Sequence, residues 1–467
     1  MTTVLWLRRD LRLRDHPALV AAHEAAQGSG GDVLPLFVAD PSLLASCGPA
    51  RRAALTEALT AVHHAYDGAL VVRWGRPDEI VPAVAAEVGA RSVHVSAETT
   101  PYGRHRDERV AAALCEERRR EGEERRREVP LVATGSPYAV TPGRVLTQVG
   151  EPYQVFTPFS RAWRDHGWRQ PAAVPAGLSW HRGSPSGGIP DEGRSPGDPV
   201  GEDAALSRWS EVLERGLDSY GADRDRPDRD GTSRLSSQLT FGTVHPRTLL
   251  ADLAAHPSGR GAGAERFVTE LAWREFYADV LWHHPGSAWA DLRPALGALE
   301  HDDPADPAVA EAVQAWREGR TGFPFVDAGM RQLLATGWMH NRVRMVTASF
   351  LVKDLHVWWV HGARHFLEHL CDGDVASNNH GWQWVAGTGT DAAPYFRVFN
   401  PVLQGERFDP DGAYVRRWVP ELRHLPGASA HQPWRRPEGY AHGYPERVVD
   451  HAEARTETLR RYRVARA

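Results

Sequence analysis

Residues 4–38, VLWLRRDLRLRDHPALVAAHEAAQGSGGDVLPLFV, decide the fold. Two short apolar runs, 4–7 and 33–38, flank a helix-like stretch at 17–27. Strand-length apolar runs on either side of a helical stretch mark a βαβ unit. Runs without polar alternation are strands buried on both faces, as in parallel sheets. Working outward, 70–73 and 92–95 repeat the strand pattern, and 50–66 and 77–88 the helical one. The alternation predicts an α/β domain over residues 1–135, built on a doubly wound, Rossmann-like parallel sheet. Ligands of such sheets sit beyond the carboxyl ends of the strands. Arg8, Arg9, Asp10, Asp40 and Glu98 occupy those ends.

A chain of 467 residues calls for more than one core. Residues 136–202 read as an interdomain linker: six prolines and seven glycines fall within 171–203. Beyond this point strand signals fade, and 264–281, 308–318, 327–336 and 446–467 read as helices. Residues 203–467 are therefore expected to form an all-α domain, which holds twelve of the 17 tryptophans. The charge run at 116–128, six Glu and six Arg, reads as a solvated helix end rather than a nucleic-acid tail. A net charge of −5 confines any nucleic-acid site to a local basic groove. Three scattered cysteines fit a reducing compartment. With no signal-peptide core and no apolar run of membrane-spanning length, a cytoplasmic protein without a membrane partner is expected.

Generic motifs are few. No GxGxxG follows a strand, and there is no P-loop. GRGAG at 259–263 falls in a loop. His361, His365 and His369 align on one helix face, a spacing open to metal, but a half-buried face is the favoured reading and no metal is expected. GTSRLS at 231–236 offers amides and hydroxyls suited to phosphate, with Arg234 for charge.

Five longer stretches are more specific. They are GTSRLS, ELAWREFY (270–277), DAGMRQLLATGWMHNRVRMVTASFLVK (327–353), DGDVASNNHGWQW (372–384) and TGTDAAPYFRVFN (388–400). With LWLRRDLRLRDHPAL at 5–19, they make the whole chain resemble the photolyase/cryptochrome family, most densely over 231–425.

The resemblance implies FAD, reduced in its active state, held in the helical domain. Its implied contacts are Tyr220, Thr232, Ser233, Arg234, Leu235, Ser236, Phe267, Glu270, Arg274, Arg344, Asp372, Gly373, Asp374 and Asn378. A carboxylate beside an arginine, as at Asp372 and Arg344, can polarise a flavin's edge. Asn378 matches the residue facing flavin N5, where an amide can donate or accept. The implied substrate is a pyrimidine dimer flipped out of DNA. Its contacts would be Trp273 and Trp384 as stacking walls, Glu270 as hydrogen-bond partner, and Asn341, Arg342, Met345 and Gln404 around the pocket. Arg224, Arg274, Arg342 and Arg397 would reach phosphates.

The resemblance also separates reactions. Asn341 and Met345 stand where (6-4) photolyases place two histidines, so cyclobutane-dimer repair by a class I enzyme is the implied activity, with (6-4) repair and cryptochrome-type photoreception as alternatives. Little chain follows the flavin region to serve as a signalling tail. Trp382 and Trp359 match the first two rings of the family's electron-transfer chain. The third falls in 298–307, which contains no tryptophan and puts His301 there; Trp316, Trp358 and Trp289 are the possible substitutes. TPYGRHRD at 100–107 points to an 8-hydroxy-deazaflavin antenna rather than a folate, with Arg51 and Glu98 as contacts, although Thr240 replaces a lysine frequent in that subgroup. A monomer with no protein partner is implied.

Overall fold

The computed structural model describes residues 2–28, 30–120, 129–293, 296, 298–394 and 396–466, with backbone alone at 116–120. The expectation for the charge run at 116–128 falls outside the described side chains. The chain forms two compact units, residues 1–153, 157–215 and 233–285 in one, and 154–156, 216–232 and 286–467 in the other.

The first unit carries a five-stranded sheet: β1 (Thr3–Leu7), β2 (Val33–Ala39), β3 (Val71–Trp74), β4 (Val93–Val95) and β5 (Leu131–Ala133). All pairings are parallel, in the order β3-β2-β1-β4-β5. Every residue of β1 and β2 is buried, as their unbroken apolar runs require. The strand order reverses between β1 and β4, which opens a crevice at their carboxyl ends. β5 escaped the sequence reading because it is only three residues long, LVA, too short a run to stand out. Helices α1 (Pro17–Gln27), α2 (Pro49–Ala65), α3 (Pro77–Glu87) and α4 (Pro101–Arg120) each begin on proline, whose fixed φ suits the first helical position.

A long helix, α5 (Ala262–His283), also folds into this unit. Its Glu275 accepts the Ala139 and Val140 amides, and its Asp279 accepts the Gly143 amide at 2.7 Å. Those bonds tie residues 139–143 to a helix expected in the all-α domain, so the compact units do not follow the sequence boundaries at 135 and 202. Burial pushes Glu275 up to about 7, against the pull of the two amides and Trp163.

The second unit is helical: α6 (Pro307–Glu318), α7 (Pro324–Thr336), α8 (Asn341–Ser349), α9 (Trp359–His369), α10 (Val375–Ala386), α11 (Pro401–Phe408) and α12 (His451–Arg466). Asp306 and Asn400 cap α6 and α11 by accepting first-turn amides. Left-handed glycines end α6, α7 and α10, at Gly319, Gly337 and Gly387. Its core joins Trp316, Trp359 and Trp382 to Phe323, Phe325, Phe350 and Phe366. Among the described residues no helix is long and apolar enough to cross a membrane.

Candidate functional site

In the second unit, α8 and α10 position the most chemically specific of the expected residues. His340 caps α8, its Nδ1 accepting the Arg342 amide at 3.1 Å. One turn on, Arg344 donates through Nε to the Met339 carbonyl and through Nη2 to Asp372 Oδ2, each at 2.8 Å. Asp372 is buried, so the two charges compensate each other in a low-dielectric setting. Gly373 is also buried, and Asp374 caps α10 by accepting the Ser377 amide at 2.8 Å.

Asn378, half-buried on α10, donates through Nδ2 to the Ala363 carbonyl of α9 (3.1 Å) and to Asn379 Oδ1 (2.8 Å). Both amide hydrogens are engaged, and Oδ1 remains as the acceptor. Asn379, fully buried, anchors through Nδ2 to the Ala288 carbonyl. The sequence reading missed this support, because adjacent helical positions point apart and only the geometry joins them.

Trp382 and Trp359 are both buried. Trp382 sits edge-on to Phe366 (4.9 Å between centroids) and Trp316 (6.1 Å). Trp359 donates its indole N–H to Asp291 at 2.7 Å. Of the substitutes for a third ring, half-buried Trp358 lies 6.2 Å from Trp359, Trp316 is buried against Trp382, and Trp289 is exposed beneath the Arg364 guanidinium. His301 is half-buried.

The expected DNA contacts of this unit are divided. Asn341 is exposed in the first turn of α8, and Met345 is half-buried one turn later. Arg342 pairs with Asp225 at 3.0 Å and lies over the Phe408 ring, while buried Arg224 reaches the same carboxylate at 3.4 Å. Two arginines thus converge on one acid. Trp384 and Gln404 are half-buried; Arg397 is exposed beside exposed Phe396. Tyr220 is buried and Thr232 half-buried.

The first unit holds the remaining expected residues. Ser233, Arg234 and Leu235 lead into a short helix, Ser236–Phe241. Arg234 adopts φ 58° while pairing with Asp198 at 2.7 Å, and a left-handed non-glycine residue is uncommon. Phe267 is buried against Trp209 at 4.8 Å. Glu270 pairs with Arg266 at 3.3 Å along α5, and half-buried Trp273 packs on Tyr277 at 5.4 Å. Arg274 donates to the carbonyls of Pro137 (3.0 Å) and Leu239 (3.1 Å) and lies over the Tyr138 ring, so it clamps the fold.

Glu98, at the carboxyl end of β4, lies within 4.0 Å of Arg9 and 3.9 Å of Arg106 and accepts the Thr99 amide at 2.8 Å. Burial opposes its ionisation, but the arginines outweigh it and hold its pKa below the usual value. Gly103 makes this seat possible: a Cβ there would stand 1.7 Å from Glu98 Cγ. Arg51 is half-buried in the first turn of α2, and among the described residues no hydrogen bond or ion pair joins it to Glu98.

Comparison with known proteins accounts for this arrangement. Residues 3–176 match the DNA photolyase family model, and 267–464 match the FAD binding domain of DNA photolyase. The chain is 40% identical to the deoxyribodipyrimidine photo-lyase of Escherichia coli, covering 100% of this chain and 99% of that one. It is 43% identical to the Thermus thermophilus enzyme of the same name, over 90% and 92%. Among solved structures, a class III photolyase from Agrobacterium tumefaciens superposes with a TM-score of 0.88 at 34% identity, over 99% and 97% of the two chains. A Synechocystis cryptochrome superposes with 0.87 at 26%, over 98% of each. Full-length likeness of sequence and fold, together with a helical unit matching the family's FAD-binding domain, establishes that this chain belongs to the DNA photolyase family.

Proposed function

We propose that this protein repairs cyclobutane pyrimidine dimers in DNA in a light-dependent reaction as a class I photolyase, using FAD. The observation that carries the reading is the Asn378 amide, whose two hydrogens are engaged by Ala363 and Asn379. Its Oδ1 is left to accept a hydrogen bond, which suits the N–H that a flavin carries at N5 when reduced. The Arg344–Asp372 pair fits the same group, a guanidinium and a carboxylate for the polar edge of the ring. When bound and reduced, FAD supplies the electron that light promotes to the lesion.

The chain's own residues do the rest. A dimer leaves the duplex at a cost of a few kcal/mol, least for damaged bases. Trp384 and Trp273 offer rings for the extruded bases, each stack contributing roughly 1–3 kcal/mol. Glu270 is the hydrogen-bonding partner in this reading, and Arg397 is placed for the phosphates. For the antenna, a deazaflavin against α2 near Arg51 and Glu98 remains our assignment. The sharing of structure with an archaeal photolyase from Sulfolobus tokodaii described as carrying two FAD molecules (TM-score 0.82, 29% identity, 99% of this chain and 100% of that one) favours a second chromophore of some kind.

The (6-4) alternative is disfavoured by Asn341 and Met345, which stand where the (6-4) enzymes' two histidines would be. The neighbouring His340 is no replacement in this reading, since its Nδ1 is engaged in capping α8. The cryptochrome alternative has the Synechocystis likeness in its favour. One experiment separates the three: illuminate reduced protein with oligonucleotides carrying one or the other lesion. Restored thymines from the cyclobutane dimer alone are expected. Binding without repair would reject the enzymatic reading, and repair of the (6-4) lesion would reject the specificity.

A further inference from the structure

A cavity of about 500 Å³ in the second unit is lined by His361, His365, Glu368 and His369 of α9 and by Arg317 and Glu318 of α6, among others. It includes none of the residues assigned above to flavin or DNA. Residues 365–369 read HFLEH, and positions i, i+3 and i+4 share one helix face. One ligand atom from each of His365, Glu368 and His369 lies within 4.8 Å of the others. His369 points Nδ1 at the His365 carbonyl, 2.9 Å away, which is how metal-bound imidazoles are oriented by their second nitrogen. His365 is 7% exposed, and its Nε2 is buried without a hydrogen-bond partner. A buried polar atom left in that state costs free energy unless a ligand satisfies it.

Two imidazoles and a carboxylate form a nitrogen–oxygen donor set that suits Zn²⁺ better than Mg²⁺ or Ca²⁺. We propose that His365, Glu368 and His369 bind one divalent ion of the zinc type at this cavity, with the remaining coordination open to solvent. Spacing alone did not favour a metal; the buried Nε2 and the convergence of the three side chains do. Bonds of about 2.0–2.2 Å place tetrahedral ligand atoms roughly 3.3–3.6 Å apart. Glu368 is exposed and His369 half-buried, so closing the difference takes side-chain rotation rather than a rearranged core. Arg317 and Arg364 also line the cavity, and Glu318 there is already paired with Arg320.

Calorimetric titration of Zn²⁺ into the full-length, chelator-treated protein tests this. One equivalent is expected, with affinity at least tenfold weaker in His369→Gln and several-fold weaker in Glu368→Gln. Neither substitution touches a fully buried group, and far-UV circular dichroism verifies the fold. His442→Gln is the control; it alters the separate His424–His442 pair (ring centroids 4.6 Å) and should leave the isotherm unchanged. The proposal is overturned if no equivalent of Zn²⁺ is taken up, if His369→Gln keeps the original affinity, or if Mg²⁺ binds as tightly as Zn²⁺.

Discussion

At the scale of single residues, the contrast between Asn378 and Asn379 shows what sequence could reach. The motif around Asn378 singles it out in the sequence, whereas nothing there points to the partner that fixes its amide. Helical neighbours point apart, and only a buried bond to Ala288 reveals that Asn379 holds the group. Asp372 is likewise singled out by its motif, and its pairing with Arg344 gives a prediction. Asp372→Ala leaves the partly exposed Arg344 guanidinium without its carboxylate, and losing a hydrogen bond to a charged group costs about 1.5–3 kcal/mol. Purified Asp372→Ala is expected to lose flavin absorbance and to unfold earlier in urea; unchanged flavin content would remove Asp372 from the site.

Lys353, the chain's only lysine, is 1% exposed and donates to the Arg397 carbonyl at 2.7 Å. Burial pushes its pKa down to about 8, with Asp354 pulling the other way. The unfolded chain, with an ordinary lysine near 10.5, binds more protons than the folded one between these values. Stability from this group therefore rises as pH climbs from about 8 to 10.5, and the full penalty is present below pH 8. Between pH 7 and 10, wild type should gain roughly 1–3 kcal/mol relative to Lys353→Met in urea unfolding. A difference that stays flat with pH would show that Lys353 is solvated.

At the scale of elements, the sheet and most helices were legible because their signals are local. Buried strands are unbroken apolar runs, and proline and glycine mark helix starts and stops. The second unit's tryptophans were ambiguous in the sequence, core or cofactor wall, because composition carries no geometry. The packing of α9 on α10 resolves part of this. Gly362 of α9 faces Trp382, and a Cβ there would stand 2.2 Å from the ring. The absence of a side chain lets the indole enter the core, so Gly362→Ala should overpack it by about 1–3 kcal/mol. A lowered melting temperature with a changed rate of flavin photoreduction is the expected pair of readouts; unaltered values of both would mean the helices simply shift apart. Photoreduction also tests the end of the ring series. Trp358→Phe should slow light-driven reduction of oxidised flavin several-fold if Trp358 follows Trp359, whereas Trp289→Phe should not. Equal rates in wild type, Trp358→Phe and Trp289→Phe would leave Trp316 as the remaining candidate.

At the scale of the whole molecule, a protein of net charge −5 that binds a polyanion must do so through a few local cations. The sequence offered four arginines for the phosphates and gave no means of ranking them. The structure ranks them by what each guanidinium already does. Arg274 is engaged by two carbonyls and a ring, and Arg224 and Arg342 share Asp225. Arg397 is exposed. Each phosphate contact contributes about 0.9 to the slope of log K against log salt concentration. Arg397→Ala is therefore expected to make that slope shallower by about one for dimer-bearing duplex, with repair of saturating substrate unchanged. Arg274→Ala should instead lower the unfolding midpoint, because it releases a clamp within the fold. Affinity measured across a salt series, beside thermal melts of both variants, distinguishes a phosphate contact from a structural cation. If Arg397→Ala leaves the slope as it was while Arg274→Ala changes it, the ranking is inverted and Arg274 is the phosphate contact.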